Sequence, residues 1–233
     1  MVTGLLLLGG LMIGGAHACA ATELSLSAAT AQYAVADRAL NQAWKTLGQT
    51  VTGEPFKTIR TQQRSWIAYR DLMATVGAGY ARDAIVPQCA DVIAQKSEIT
   101  QSRTRWLKAR ASADVSPWQG RFDDSFGGDL LLYQSKGLVV FELSVVRSEA
   151  YHTGEISGIV RVNGDQAVYR TETMDGQLAE VKLHRRGQMI EVETENTASF
   201  GGMRAYFSGG YGRAAELTAE QRKRLAESLP GAD

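Results

Sequence analysis

One stretch of this sequence sets cations, an amide and aromatics at helical spacing: Arg60, Gln63, Arg64, Trp66, Ile67, Tyr69, Arg70 and Asp71, in the order I-R-x-x-Q-R-S-W-I-x-Y-R-D. On a helix, positions 63, 66, 67 and 70 share one side. Trp66 and Ile67 are then expected in a core. Gln63 and Arg70 would complete buried polar pairs, for instance with Asp37 or Asn41 on the preceding helix, and such pairs are costly to break from one side. The competing reading is recognition, in which Arg60, Arg64 and Tyr69 project outward, Arg and Tyr being frequent interface anchors.

A second set is acidic. Glu191, Glu193 and Glu195 alternate with Val192 and Thr194, so a strand projects all three acids to one face. The strand before it answers with Glu180, Lys182 and His184. A turn at Arg186-Gly187 would place Lys182 opposite Glu191 and Glu180 opposite Glu193, the latter a destabilising like-charge pair. The face reads either as a solvated sheet exterior or as a docking face for a cationic partner.

Groups able to make or break bonds are sparse. Beyond residue 18 the histidines are His152 and His184, and there is no H-E-x-x-H or C-x-x-C, so no metal site is expected. Gly201-Gly202 and Gly209-Gly210 lack the order of elements and the lysine that cradle phosphate, so no cofactor is expected either. Asp123 with Asp124, or Glu191 with Glu193, are the carboxylate pairs on which a hydrolase would have to rest. Neighbouring acids on a strand point to opposite faces, which weakens the first pair.

The elements that would position these residues fall into two halves of a 233-residue chain. Through residues 27–111 apolar residues recur at three and four. Tyr33, Ala36, Leu40, Ala43, Trp44 and Leu47 form one helical stripe, ended by Gly48 and Gly53. Pro55 opens a second helix whose buried side carries Ile59, Gln63, Trp66, Ile67 and Arg70. A third runs from about Pro87 with Ile93, Lys96, Ile99, Arg103, Trp106 and Leu107 inward. Three antiparallel helices are expected.

After a small polar linker, residues 113–117, the period becomes two. Leu130 and Leu132, Val139 to Val145, Ile156 to Val162 including Ile159, Val168, Val181 and Leu183, and Ile190 and Val192 read as successive strands. Glycine turn signals separate them, Asn163-Gly164 being the clearest. The expected fold class is α+β: a helical domain (19–112), an antiparallel meander closed into a small barrel or sandwich (118–213), and a tail helix (214–233) capped by Thr218 and Gln221.

Lys plus Arg equals Asp plus Glu at 25 each, so no nucleic-acid partner is expected. The total hides a division: residues 21–112 carry net +5 and residues 113–213 net −4. Opposite charge suits either two binding faces or mutual attraction of the halves. Residues 2–15 are uncharged and rich in leucine, followed by A-x-A sites ending at Ala18 and Ala20, the pattern of an export signal. A periplasmic or secreted product is expected, with no stable membrane insertion after removal of residues 1–18. Cleavage after Ala18 would keep Cys19 to pair with Cys89 in an oxidising compartment. A lipid on Cys19, or its loss with the signal, are the alternatives.

The Arg60 to Asp71 segment resembles the LprI-type lysozyme-inhibitor domain of bacterial envelope proteins. The same family is matched upstream by Tyr33, Ala36, Asp37, Leu40, Asn41, Trp44 and Leu47, and downstream by Cys89, Ile99, Thr100, Arg103, Thr104 and Leu107. The resemblance spans about residues 19–110. It implies a small exported helical domain with cysteine bridges, in which Asp37, Asn41, Gln63, Trp66, Arg70 and Asp71 are motif residues serving the structure. Ala28 and Met73 or Ala74 stand where members often carry cysteines, leaving at most one bridge. The strand half loosely resembles a C-terminal module of some members, from Trp118-Gln119-Gly120 to Gly210-Tyr211-Gly212. The expected function is a noncatalytic, exported binder of the Gram-negative envelope that inhibits lysozyme by occlusion. The alternatives are an adaptor for another periplasmic protein or cell-wall component, and a carboxylate-dependent hydrolase.

Overall fold

The computed structural model describes residues 25–82, 89–147 and 152–230. Helix α1, Leu26–Thr50, starts where the Ser25 hydroxyl accepts from the Ala28 amide, satisfying one of the free donors of the first turn. Its buried residues Ala29, Ala36, Leu40, Ala43 and Leu47 keep the predicted stripe. Gly48 does not end it; the helix runs on to Thr50, and the reversal falls at Gly53, whose φ of 68° a side chain rarely adopts.

Helix α2, Gly53–Gly77, buries Ile59, Trp66, Arg70 and Ala74, a stripe too narrow to include Ile67, which is exposed rather than in the core. Helix α3, Ala90–Ala111, buries Ser97, Thr100, Arg103, Thr104, Trp106, Leu107 and Ala109; its expected start near Pro87 lies outside the described residues. Tyr33 meets Lys96, Trp44 meets Phe56, and Gln63 meets Arg103. These contacts make the bundle up-down-up, with α2 antiparallel to both neighbours.

The strand half is a closed barrel of eight antiparallel strands in sequence order: β1 (Gly120–Asp123), β2 (Gly128–Ser135), β3 (Leu138–Arg147), β4 (His152–Asn163), β5 (Gln166–Glu172), β6 (Leu178–Arg186), β7 (Met189–Glu195) and β8 (Gly209–Ala215). Alternate side chains fill it, among them Phe122, Leu130, Leu132, Phe141, Leu143, Val181, Leu183, Ile190 and Val192. Between β2 and β3, Lys136 and Gly137 both have positive φ, 50° and 77°, as the tight hairpin turn requires.

Two expectations about the strands are corrected. The β6–β7 turn is Gly187-Gln188, with Arg186 paired to Met189, so Lys182 faces Glu193, Glu180 faces Glu195 and His184 faces Glu191. A turn placed one residue off shifts every pair by two. In β5, Ala167 points inward while Val168 is exposed, and Ile159 of β4 is exposed as well. Strands β4 and β5 pair only at Val162–Ala167 and Asn163–Gln166. Beyond that the Tyr169 ring stands against Gly158, where a Cβ would fall 2.3 Å from it, and packs edge-on against Phe141 at 5.2 Å between centroids.

Helix α4, Ala219–Glu227, has the predicted capping box of Thr218 and Gln221. Leu225 and Leu229 pack on Leu131, Val140, Leu217 and Tyr133 outside β2 and β3. The helical layer meets the barrel through α3 and β8. A Cβ at Gly212 would lie 3.1 Å from Ala109 Cβ and 3.2 Å from Trp106 Cα, so glycine sets that approach.

Candidate functional site

The α2 motif divides as its spacing suggests, with other partners than expected. Trp66 is buried between two guanidinium groups, Arg70 at 5.4 Å and Arg103 at 5.8 Å from its ring centre. Gln63 Oε1 accepts from Arg103 Nε at 2.8 Å. Arg70 Nε donates to Asp71 Oδ1 at 2.9 Å, and Lys96 reaches the same oxygen at 2.9 Å. Partial burial works to raise the Asp71 carboxyl, but hydrogen bonds from Arg70 and Lys96 hold it below the ordinary range. The polar partners therefore lie on α3 and on α2 itself, while Asp37 and Asn41 bond to each other on α1, Asn41 Nδ2 donating to Asp37 Oδ2 at 3.0 Å. Arg60 and Arg64 are exposed and make no ion pair among the described residues. Tyr69 does not project outward. It packs on Phe126 at 5.2 Å, and burial followed by the charge of Asp124 pushes its phenol up to about 12.

Arg103 is the hub of the seam between helices and barrel. It is fully buried, its Nη1 donates to Ser125 Oγ at 3.0 Å, and its Cζ lies 4.3 Å from the Trp106 ring centre. Burial brings its guanidinium down to about 9, with Asp124 and Asp123 acting the other way, so it stays charged at neutral pH. Ser102 donates to Asp123 Oδ1 at 2.9 Å, Arg105 lies 3.8 Å from Oδ2, and Arg110 pairs with Glu191 at 2.5 Å. The Trp106 indole donates to Gly210 O at 2.7 Å. Part of the opposite charge of the two halves is thus spent between them, and Glu191 belongs to this seam rather than to a free face.

A cleft of about 340 Å³ opens along the seam, lined by Tyr69, Glu98, Ser102, Arg105, Arg121, Asp123 and Asp129 among others. Burial pushes the Asp123 carboxyl up to about 6 against the Ser102 hydrogen bond and the Arg105 charge. Asp124 points elsewhere, accepting from the Phe126 and Gly128 amides and from Arg147. Asp123 ends β1 and Asp124 opens the turn after it, so the adjacent acids serve different sites, and Asp129 is held by Arg121 at 2.7 Å.

The remaining acids face solvent on β6 and β7. Glu180 is bonded by Lys182 at 2.7 Å and by Arg170 at 2.5 Å, which lowers its carboxyl below the ordinary range. The like-charge pair it forms with Glu195 is relieved in this way. Glu193 and Glu195 are exposed and have no ion-pair partner among the described residues.

Cys19 lies outside the described residues. Cys89 is buried at the start of α3, its sulfur 3.5 Å from the Tyr80 hydroxyl. Among the described residues no group of three or more His, Cys, Asp or Glu could hold a metal ion, and no helix is long and apolar enough to cross a membrane.

Arg103 joins the helical layer to Ser125, and Asp123 meets Ser102 and Arg105 across the same seam; the sequence pattern singled out Arg103 as inward-facing and Asp123 as one of an acid pair, but neither as a partner across the seam. The signal available for Arg103 was a cation on an otherwise inward helical stripe.

These features define an α+β protein in which a three-helix layer is docked on a closed barrel by charged side chains. A family model described as "Lysozyme inhibitor LprI" matches residues 18–107, which takes in α1, α2 and all but the last turn of α3. The helical region thus carries the sequence pattern of a lysozyme-inhibitor family, and the barrel lies beyond the match. No curated protein and no solved structure matched the chain.

Proposed function

We propose that this protein is exported to the bacterial envelope and acts there as a noncatalytic binder that occludes a site on a protein partner, with lysozyme the candidate. The observation that carries the reading is the match of residues 18–107 to the lysozyme-inhibitor family. Residues 1–18 are then a signal, residues 19–112 the helical domain, residues 118–213 the barrel domain and residues 214–233 the tail.

Charge favours the barrel as the docking side. Glu193 and Glu195 stand exposed and unpaired among the described residues, whereas Glu191 is engaged by Arg110. Lysozymes of animal origin are strongly basic, and complementary charge speeds encounter and selects the partner. The helical alternative is the exposed pair Arg60 and Arg64, which would repel such a partner.

Two charge reversals test this on the full mature chain. Glu193→Lys with Glu195→Lys should weaken binding to a basic lysozyme by about tenfold or more, mainly through the association rate. Arg60→Glu with Arg64→Glu should leave it unchanged or tighter. The opposite ranking would place the interface on α2.

A further inference from the structure

We propose that the partner seats on one end of the barrel, on the rim made by the β5–β6 turn and the β7–β8 connection, and that it is a protein presenting an apolar patch ringed by cations. This rests on the binding function proposed above and names the surface that performs it.

In an up-and-down barrel successive connections alternate between the two ends. At one end the strands are joined by pairs of residues, Lys136-Gly137, Gly164-Asp165 and Gly187-Gln188. At the other end the β7–β8 connection is long, residues 196–208. Tight turns only reverse the chain; long loops that are themselves held in place are where binding groups are carried.

The long loop is held. Asn196 Nδ2 donates to Leu178 O at 2.9 Å, which fixes it beside the β5–β6 turn. Gly202 N donates to Thr153 O at 2.8 Å, and Arg147 Nε donates to Tyr206 O at 2.9 Å with its Cζ 4.3 Å from the Tyr206 ring centre. Asn196 and Arg204 sit at φ of 53° and 67° without being glycine, backbone strain that persists only where the surroundings impose it.

Four large apolar side chains of this held rim stand open to water. Met174 is 97% and Met203 80% exposed, the highest values of any large apolar side chain described, and Leu178 and Tyr206 are more than half exposed. None of the four is needed to fill the core. Methionine is over-used at binding surfaces because its flexible thioether adapts to a partner's contours, and loops held on a rigid scaffold are where binding side chains are carried.

The setting chooses between a protein and a lipid surface. Glu172, Asp175, Glu193 and Glu195 lie on the same end or lead to it and have no ion-pair partner among the described residues; Arg204 is the nearby cation on the loop. Anionic headgroups would be repelled by these carboxylates. A cationic protein would be attracted, with Met174, Leu178, Met203 and Tyr206 supplying the buried centre that carries most of the affinity.

The test measures the affinity of the mature chain for a basic animal lysozyme by titration calorimetry. Wild type is compared with the double variant Met174→Ser, Met203→Ser and with Val115→Ser, an exposed apolar residue near the opposite end. Both methionines are exposed, so the fold should persist, which near-UV circular dichroism checks. The rim variant should bind about tenfold more weakly or worse while Val115→Ser stays within about twofold. Wild type and rim variant binding alike would overturn the rim but leave the function standing. Wild type failing to bind lysozyme would overturn the function and the rim with it. Capture of wild type by phosphatidylglycerol vesicles in a rim-dependent way would overturn the choice of a cationic protein.

Discussion

Arg147 and Asp124 meet at 2.5 Å with side chains only 3% and 9% exposed, tying the end of β3 to the β1–β2 turn. The same guanidinium donates to Phe126 O at 3.0 Å and Tyr211 Oη at 3.3 Å and holds Tyr206 O, while the Tyr211 hydroxyl donates to Phe207 O at 2.7 Å. The arrangement ties the β1–β2 turn, the end of β3 and the C-terminal side of the long loop together at the rim end of the barrel. Burial works to lower the Arg147 pKa, but Asp124 and its other neighbours raise it on balance, and burial pushes the Tyr211 phenol well above its ordinary value.

Removing one member of this pair leaves an uncompensated buried charge. Asp124→Ala is expected to cost about 3–5 kcal/mol in urea unfolding. The double variant Asp124→Leu, Arg147→Met should cost less than Asp124→Ala and Arg147→Ala added together, because no lone charge remains. A loss for Asp124→Ala below about 1 kcal/mol would mean that the pair does not hold the rim end together.

Asp123 makes the seam sensitive to acid in an unusual direction. Its folded carboxyl lies at about 6, above the ordinary 3.8, because burial outweighs Ser102, Arg105 and the Ser125 amide. Between these values the folded state binds more protons than the unfolded one, so this contribution is present below pH 4 and lost as pH rises through about 6. The loss is on the order of 3 kcal/mol for a shift of this size in a largely buried group. Asp71, whose carboxyl is held low, contributes in the opposite sense. The measurement is therefore a difference: wild type should lose stability relative to Asp123→Asn between pH 4 and pH 7. Parallel curves would show that Asp123 is not shifted.

Periodicity alone carried much of this architecture. The α1 stripe, the inward residues of β2, β3, β6 and β7, and the Thr218–Gln221 cap follow from spacing that local geometry enforces. Arg147 with Asp124, and Arg103 with Ser125, were not legible because each pair is brought together by strand closure or by docking of the helical layer, and nothing local announces which distant group will arrive. Ile67 misled because the side of α2 that its neighbours cover is narrower than the stripe hydrophobicity marks. The β6–β7 pairing misled because glycine fits several positions of a two-residue turn. The exposed methionines of the rim carry no periodic signal at all.

The proposed bridge between Cys19 and Cys89 has a direct readout. The secreted protein should have the mass of a chain beginning at Cys19 and should gain two hydrogens on reduction. Cys89 is buried at the start of α3, so the bridge would tie the N-terminus to the point where α3 begins. A chain beginning at Ala21, or one heavier by acyl groups, would contradict it.

Lysozyme turnover of a cell-wall substrate, followed while the purified mature protein is titrated to micromolar concentration, bears most directly on the whole account. Inhibition that saturates at a fixed stoichiometry and weakens with added salt is the predicted result. Turnover that stays unchanged across the titration would contradict it.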